Sequence, residues 1–349
     1  MKTISVAALV AALAACCARA ETYELTISSS HAATVPWVAP LSSVIVAKTN
    51  ERLAAMGSGN RVDWTEAYAG SLYGFGDTLE AVGEGITDAG WVGTLWEESK
   101  LPYQNVTYYT PFTSDDAGLV IETFNRLHAE LPFLSEAWEA HGVVFLGATG
   151  ADTYHLFTTF PVNSVEDLRG RKILAPGTSA PWITAVGAVP VDGALTTFYN
   201  QIETGMADGV LSIMSGAAPL RMHEVAPFVT LVGVGSNMIG AFAVNKDTWD
   251  GLPEDVRQVL RELGPEYSAE NARIVEERYQ ASIDAYRADP TVTLAEFPEA
   301  ERAKWAAALP DLAGEWAAAF PRGAELIAAY TQAMRDGGAR PLRDWTARP

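Results

Sequence analysis

The chain has 349 residues, 48% hydrophobic and 19% charged, enough to bury a large core and fill two lobes of ordinary domain size. Its 43 acidic residues outnumber 24 basic ones, a net charge of −19 that excludes tracking along a phosphate backbone, so no nucleic-acid partner is expected. No acidic block is long enough to be a docking tail, and the charge reads as solubility in a salty medium.

The first element is a secretory segment, residues 1–20. It has Lys2, an apolar run Ile4–Ala15, and Ala18-Arg19-Ala20 as a small-x-small cleavage site. The run is too short to span a membrane, and no stop-transfer pattern follows. Cleavage after Ala20 discards Cys16 and Cys17, leaving no cysteine for a disulfide, a metal or a nucleophile. The mature chain then has 22 basic against 43 acidic residues, a net charge of −21. The alternative is a lipobox, Leu13-Ala14-Ala15-Cys16, which would leave a lipidated Cys16 at the N-terminus.

Strand-like and helical segments alternate from there on. Strand Tyr23–Ser28 precedes helix Leu41–Met56, then strand Val62–Thr65, helix Phe75–Gly83, helical stretch Ala117–His141 and strand Gly142–Leu146. Next comes PVNSVEDLRGRKILAPG. Ser164 followed by Asp167 is a cap with an acid three residues on, Gly170 stops the short helix, and Lys172–Ala175 is a buried strand. Helix Ala180–Gly187 follows, then a helix carrying Leu195, Phe198, Tyr199 and Ile202 that ends at Gly205, then strands Ala207–Ile213, Phe228–Gly233 and Ile239–Val244. Helical spacing runs unbroken through Glu254–Arg287, with a bend expected at Pro265, and strand Val292–Phe297 comes last. The alternation predicts α/β lobes with largely parallel sheets.

This order resembles the periplasmic solute-binding proteins of TRAP transporters, of the dicarboxylate-binding-protein type. The shared residues are Asp167-Leu168-Arg169-Gly170, Lys172-Ile173, Thr204-Gly205, Asp208-Gly209, a G-x-x-D element at Gly85–Asp88, and W-x-x-L-P-E-D-V at Trp249–Val256. The resemblance extends over nearly the whole mature chain. It implies a two-lobed periplasmic binding protein fold with a long helix bridging both lobes, and chain crossings near Ala151 and Met238. Lobe I would then be residues 21–151 plus 238–285, and lobe II residues 152–237 plus 286–349. It further implies a periplasmic, monomeric receptor that delivers a small organic solute to TRAP membrane permease subunits, with no cofactor.

Three family residues are replaced. The arginine usually placed in the first strand falls on Leu174, the asparagine after the second falls on Ser212, and an auxiliary arginine aligns with Tyr154. Clefts of open α/β folds lie beyond the carboxyl ends of strands. Together with the resemblance, this makes Ser30, His31, Tyr68, Trp91, Tyr154, Leu174, Phe198 and Ser212 the candidate ligand-binding residues. Trp91 and Phe198 would serve equally well as core aromatics, and His31 as a capping residue. Trp37, Trp64, Trp182 and Tyr73 lie near in sequence with weaker positional support; His128, His141 and His223 read as structural.

A carboxylate buried without a cation costs several kcal/mol, whereas aromatic rings suit an ammonium group or an apolar body. The expected ligand is therefore a small cationic or neutral polar molecule, such as an amino alcohol. The alternative is an organic acid held by a displaced charge from His31, Arg171 or Arg221. An enzyme is the third reading. The chain has no G-x-S-x-G elbow, H-E-x-x-H, C-x-x-C or G-x-x-x-x-G-K, no metal site is expected, and carboxylates such as Asp77, Glu80 and Asp88 are too scattered to assign to acid–base work. Neither an enzyme nor an interaction module without a ligand explains the sequence as well as a binding protein does.

Overall fold

The structure, a computed structural model, describes residues 20–175 and 177–347. The secretory segment and Cys16 lie, apart from Ala20, outside them. Eleven strands form two sheets among the described residues. The first contains β1 (Thr22–Ser28), β2 (Arg61–Ala67), β3 (Ala89–Gly93), β4 (Val143–Ala151) and β10 (Asn237–Asn245), in the order β2-β1-β3-β10-β4. The second contains β5 (Tyr154–Thr158), β6 (Lys172–Leu174), β7 (Val189–Val191), β8 (Gly209–Ile213), β9 (Phe228–Leu231) and β11 (Thr293–Glu296), in the order β11-β9-β5-β8-β6-β7.

The sheets are mixed rather than largely parallel. β1 pairs parallel with β2 and β3, β6 with β7 and β8, and β9 with β11. Every pair that includes β5 or β10 is antiparallel. These two strands follow the two crossings between sheets, after Ala151 and after Leu231. A strand entered by a direct crossing, with no helix to reverse its direction, runs against its neighbours.

Local chemistry explains the motif residues. Asp167 Oδ2 accepts from the backbone N–H of Asn163 (2.8 Å) and Ser164 (2.9 Å), closing the expected capping box around the 165–168 turn. Asp208 accepts from Lys172 N at 2.8 Å and so ties β6 to β8. Asp88 accepts from Thr26 N and the Thr248 hydroxyl, both at 2.8 Å, which fixes β1 against the Lys246–Gly251 helix. These carboxylates are structural clamps. Glu80 pairs with Lys100.

The helix predicted over 117–141 is two helices, Ala117–Glu130 and Pro132–Glu139. Pro132 lacks an N–H and restricts Leu131, so the first helix stops there. By contrast, Pro265 sits inside the Glu254–Ala288 helix without ending it. Those 35 residues extend about 52 Å. Val256, Leu260, Leu263 and Tyr267 pack in the first-sheet core, and Ile283 and Tyr286 pack with Phe157 and Val210 of the second. One helix therefore bridges both cores.

That helix crosses β4 with almost no gap. A Cβ built on Gly264 would lie 2.0 Å from the Leu146 carbonyl oxygen, which is backbone and cannot step aside. Gly264→Ala is expected to cost about 3 kcal/mol by forcing the helix off the sheet. Chemical denaturation of the purified variant checks this, and an unchanged midpoint would refute the close approach.

Three C-terminal helices were not expected from the sequence: Glu299–Ala308, Leu312–Ala319 and Gly323–Asp336. The first contacts the 165–168 turn, whereas the other two pack against the Pro102–Tyr109 turns and the Ala117–Glu130 helix. Assigning all of 286–349 to the second lobe therefore does not fit the packing of residues 312–336.

Candidate ligand-binding site

Between the two sheets lies a cavity of about 320 Å³. Its first-sheet side carries Ser30 and His31 after β1, Trp91 on β3, Leu95 and Trp96 just beyond it, and Ile239 on β10. Its second-sheet side carries Tyr154 on β5, Leu211, Ser212 and Ile213 on β8, and the turn from Gly193 to Phe198 after β7. Six of the eight candidates thus meet in one space: Ser30, His31, Trp91, Tyr154, Phe198 and Ser212.

Two do not line it. Tyr68 packs against the first-sheet core and takes a hydrogen bond from the Ser42 hydroxyl at 3.1 Å. Leu174 is fully buried in a cluster with Phe157, Phe198, Ile202 and Val210. Alternation on β6 puts Ile173 in one core and Leu174 in this one, so leucine here is a core residue.

Trp91 is 1% exposed and donates its indole N–H to Thr149 Oγ1 at 3.0 Å. It fits because Gly240 has no side chain: a Cβ there would stand 2.5 Å from Trp91 Nε1. Around His31 stand Phe75, Trp91 and Trp37, with ring centroids at 4.6, 5.1 and 5.7 Å and all edge-on. Burial among these rings lowers the His31 pKa from 6.5 to about 4, so the imidazole is neutral at physiological pH.

The opposite wall is supported from behind. Tyr154 and Tyr108 hydroxyls stand 3.4 Å apart, Tyr108 stacks on Trp182 at 5.8 Å, and Trp182 donates to the Tyr108 carbonyl. Trp305, on the first C-terminal helix, donates to the Trp182 carbonyl at 2.8 Å. Trp182 is thus a supporting residue. Trp64 and Tyr73 also stand outside the cavity, and Tyr73 hydrogen-bonds Ser28 Oγ at 2.8 Å.

Sequence reasoning gave Trp37 little weight and missed Phe75, Leu95, Trp96, Tyr108, Ser179 and the 193–196 turn as lining residues. The strand-end rule would have found the turn had β7 been recognised. Val189-Pro190-Val191 is three residues with a proline, too short to show a period.

No Lys, Arg, Asp or Glu is among the described residues that line the cavity. Arg171 lies on the surface with its guanidinium 4.1 Å from the Phe160 ring, and Arg221 pairs with Glu224 on the surface. Buried Asp152, which follows β4, accepts from Ser215 N at 3.0 Å and from the Ser215 hydroxyl. Among the described residues, no group of three or more His, Cys, Asp or Glu could hold a metal ion, and no helix is long and apolar enough to cross a membrane.

Two further histidines are buried, where His31 is half-buried. His128 stacks on Phe145 at 3.6 Å, and His155 accepts from Gly233 N while its other nitrogen meets the Tyr279 hydroxyl at 3.1 Å. Burial lowers His128 to about 4 and His155 to about 3. A histidine with a depressed folded pKa takes its proton first in the unfolded chain, so stability falls as pH drops below about 6.5. Burial raises Asp152 to about 6 and also raises Glu97 and Glu98, which opposes this, but these shifts are smaller in sum than those of the three histidines. The melting temperature is expected to fall steadily from pH 6.5 to pH 4. A flat profile over that range would contradict the buried neutral histidines.

Two α/β sheets joined by crossing strands and one long helix, with a cavity walled from both sides, define a two-lobed solute-binding protein. Residues 45–318 match the family model of the bacterial extracellular solute-binding proteins, family 7, named DctP. The chain belongs to this family, the TRAP-type solute-binding proteins. It is 30% identical over 201 residues to the C4-dicarboxylate-binding periplasmic protein DctP of Rhodobacter capsulatus, covering 57% of this chain and 59% of that protein. It is 31% identical over 140 residues to a solute-binding protein of Sulfitobacter sp. (strain NAS-14.1), covering 40% of this chain and 42% of that one. The match thus spans about half the length of these relatives.

Solved structures share the fold over more of the chain. A TRAP periplasmic solute-binding protein from Desulfovibrio salexigens, an open complex, has a TM-score of 0.75 at 19% identity, covering 92% of this chain and 98% of that one. One from Chromohalobacter salexigens with bound D-glucuronate has a TM-score of 0.73 at 19% identity, covering 89% and 99%.

Proposed function

We propose that this protein is the extracytoplasmic solute receptor of a TRAP transporter, and that its ligand is a small cationic or neutral polar solute rather than a dicarboxylate or sugar acid. The observation that carries this is the wall of the cavity, which comes from both sheets, is rich in aromatic rings and has no charged side chain among the described residues. A structure with the same fold was solved with bound D-glucuronate, which supports a receptor for a small solute. A carboxylate would find no cation among the described residues that line this cavity, since Leu174 is core and Arg171 and Arg221 are at the surface.

Function follows from closure. A ligand that touches both walls favours the closed arrangement, with the 151–154 and 231–237 crossings as hinges. The moving lobes are residues 21–151 with 238–285, and 152–237 with the remainder apart from 312–336, which travel with the first. The closed, monomeric receptor would then dock on the membrane permease subunits and release its solute unaltered. Native mass spectrometry of protein isolated from the periplasm of its host, without denaturation, tests this reading. One amine, alcohol or amide per chain is the expected co-purifying species. A sugar acid or dicarboxylate in its place would refute the ligand assignment, and a chemically converted product would favour an enzyme.

A further inference from the structure

We propose that the ligand is uncharged, a single hydrogen-bonding group on an apolar body, and that His31 is the residue that selects it. This rests on the cavity being the receptor's ligand site, and it narrows the ligand class within that reading.

Thirteen of the nineteen lining residues are apolar or aromatic, and the remainder consists of Gly193 and the polar Ser30, His31, Ser179, Thr196 and Ser212. A sugar acid carries hydroxyls around its whole ring, and most would face hydrocarbon and lose their water without replacement. An apolar body suits these walls.

The charge of the head is decided by what stands near it. A primary ammonium would gain from the rings but would meet no anion among the described residues that line the cavity. Glu97, next to Trp96 in sequence, is buried but ion-paired with Lys100 at 3.4 Å, and the Asp152 carboxylate is occupied by Ser215. A carboxylate is worse placed still, because His31 is held neutral and no guanidinium is among the described residues that line the space.

What the wall does offer is neutral. His31 is gripped edge-on by Phe75, Trp91 and Trp37, and its Nδ1 stands 3.3 Å from the Ser30 hydroxyl. With Nδ1 against Ser30, Nε2 is the ring nitrogen left for a ligand, a donor or an acceptor according to the tautomer, and an amide or alcohol can meet either. The same wall holds the buried indole N–H of Trp37, which has no hydrogen-bond partner among the described residues. A buried donor of this kind favours a ligand that brings a neutral acceptor.

Two matched sets of probes test the proposal by calorimetric titration: phenylacetamide, phenethylamine and phenylacetate, and isovaleramide, isoamylamine and isovalerate. Within at least one set the amide is expected to bind at least about tenfold more tightly than its amine and its acid. The His31→Phe variant should lose about tenfold in amide affinity, while His31→Gln, which keeps a donor and an acceptor, should retain most of it. Equal losses in both variants would assign His31 a packing role and overturn its place in selection. An amine as the tightest member would overturn the uncharged ligand but leave the proposed function standing. An acid as the tightest member would overturn both. Failure of all six probes, while another solute shifts the melting temperature, would overturn the apolar body alone.

Discussion

Leu174→Arg is expected to cost at least about 4 kcal/mol and to leave little folded protein, because it puts an unpaired guanidinium among Phe157, Phe198, Ile202 and Val210. Leu174→Met, of similar volume, should cost less than about 1.5 kcal/mol. Thermal and denaturant unfolding of the pair measures the difference. A folded Leu174→Arg protein that newly binds succinate or glucuronate would show the position to face the ligand. The lack of an arginine among the described lining residues would then come down to a single reversible substitution.

Trp91→Ala should produce the second large effect, on both stability and binding. The ring is 1% exposed, seated over Gly240, hydrogen-bonded to Thr149 and in contact with His31. Its removal leaves a cavity in the first-sheet core and frees His31 to change rotamer. A loss of about 3–5 kcal/mol is expected, together with loss of ligand binding. Trp91→Phe separates the two roles. It keeps a ring against His31 but drops the bond to Thr149, so the fold should survive with weakened binding. Full binding by Trp91→Phe and Trp91→Ala alike would remove Trp91 from the site.

Much of this was legible because the signals are local. Ser164, Asp167 and Gly170 mark a capped turn by spacing alone, and the long helix shows its period from Val256 to Tyr286. Elements without a local signal were invisible. β3 is Ala-Gly-Trp-Val-Gly, buried on both faces and only five residues long, and β5 is equally short. The parallel character was overestimated because the direction of a crossing strand depends on which sheet it enters, which no single segment records.

The candidate site divides in the same way. Residues just beyond a recognisable strand end, such as Ser30 and His31, or within β8, such as Ser212, were found. Phe75, Trp96 and Tyr108 come from segments far apart in sequence that only the folded chain brings to one cavity. Leu174 misleads for a different reason. Alignment gives a position, not the direction of a side chain, and a change from arginine to leucine lets the position join the core.

The most direct measurement is the thermal shift of the purified protein across organic acids, amino acids, amines, alcohols and amides. A ligand at a hundredfold excess over its dissociation constant should add about 2.7 kcal/mol of stability. At least one amine, alcohol or amide is expected to do so and to be recovered unchanged, while succinate and glucuronate leave the melting temperature where it was. A shift by succinate or glucuronate at micromolar concentration, with no shift from any uncharged or cationic solute, would contradict the account.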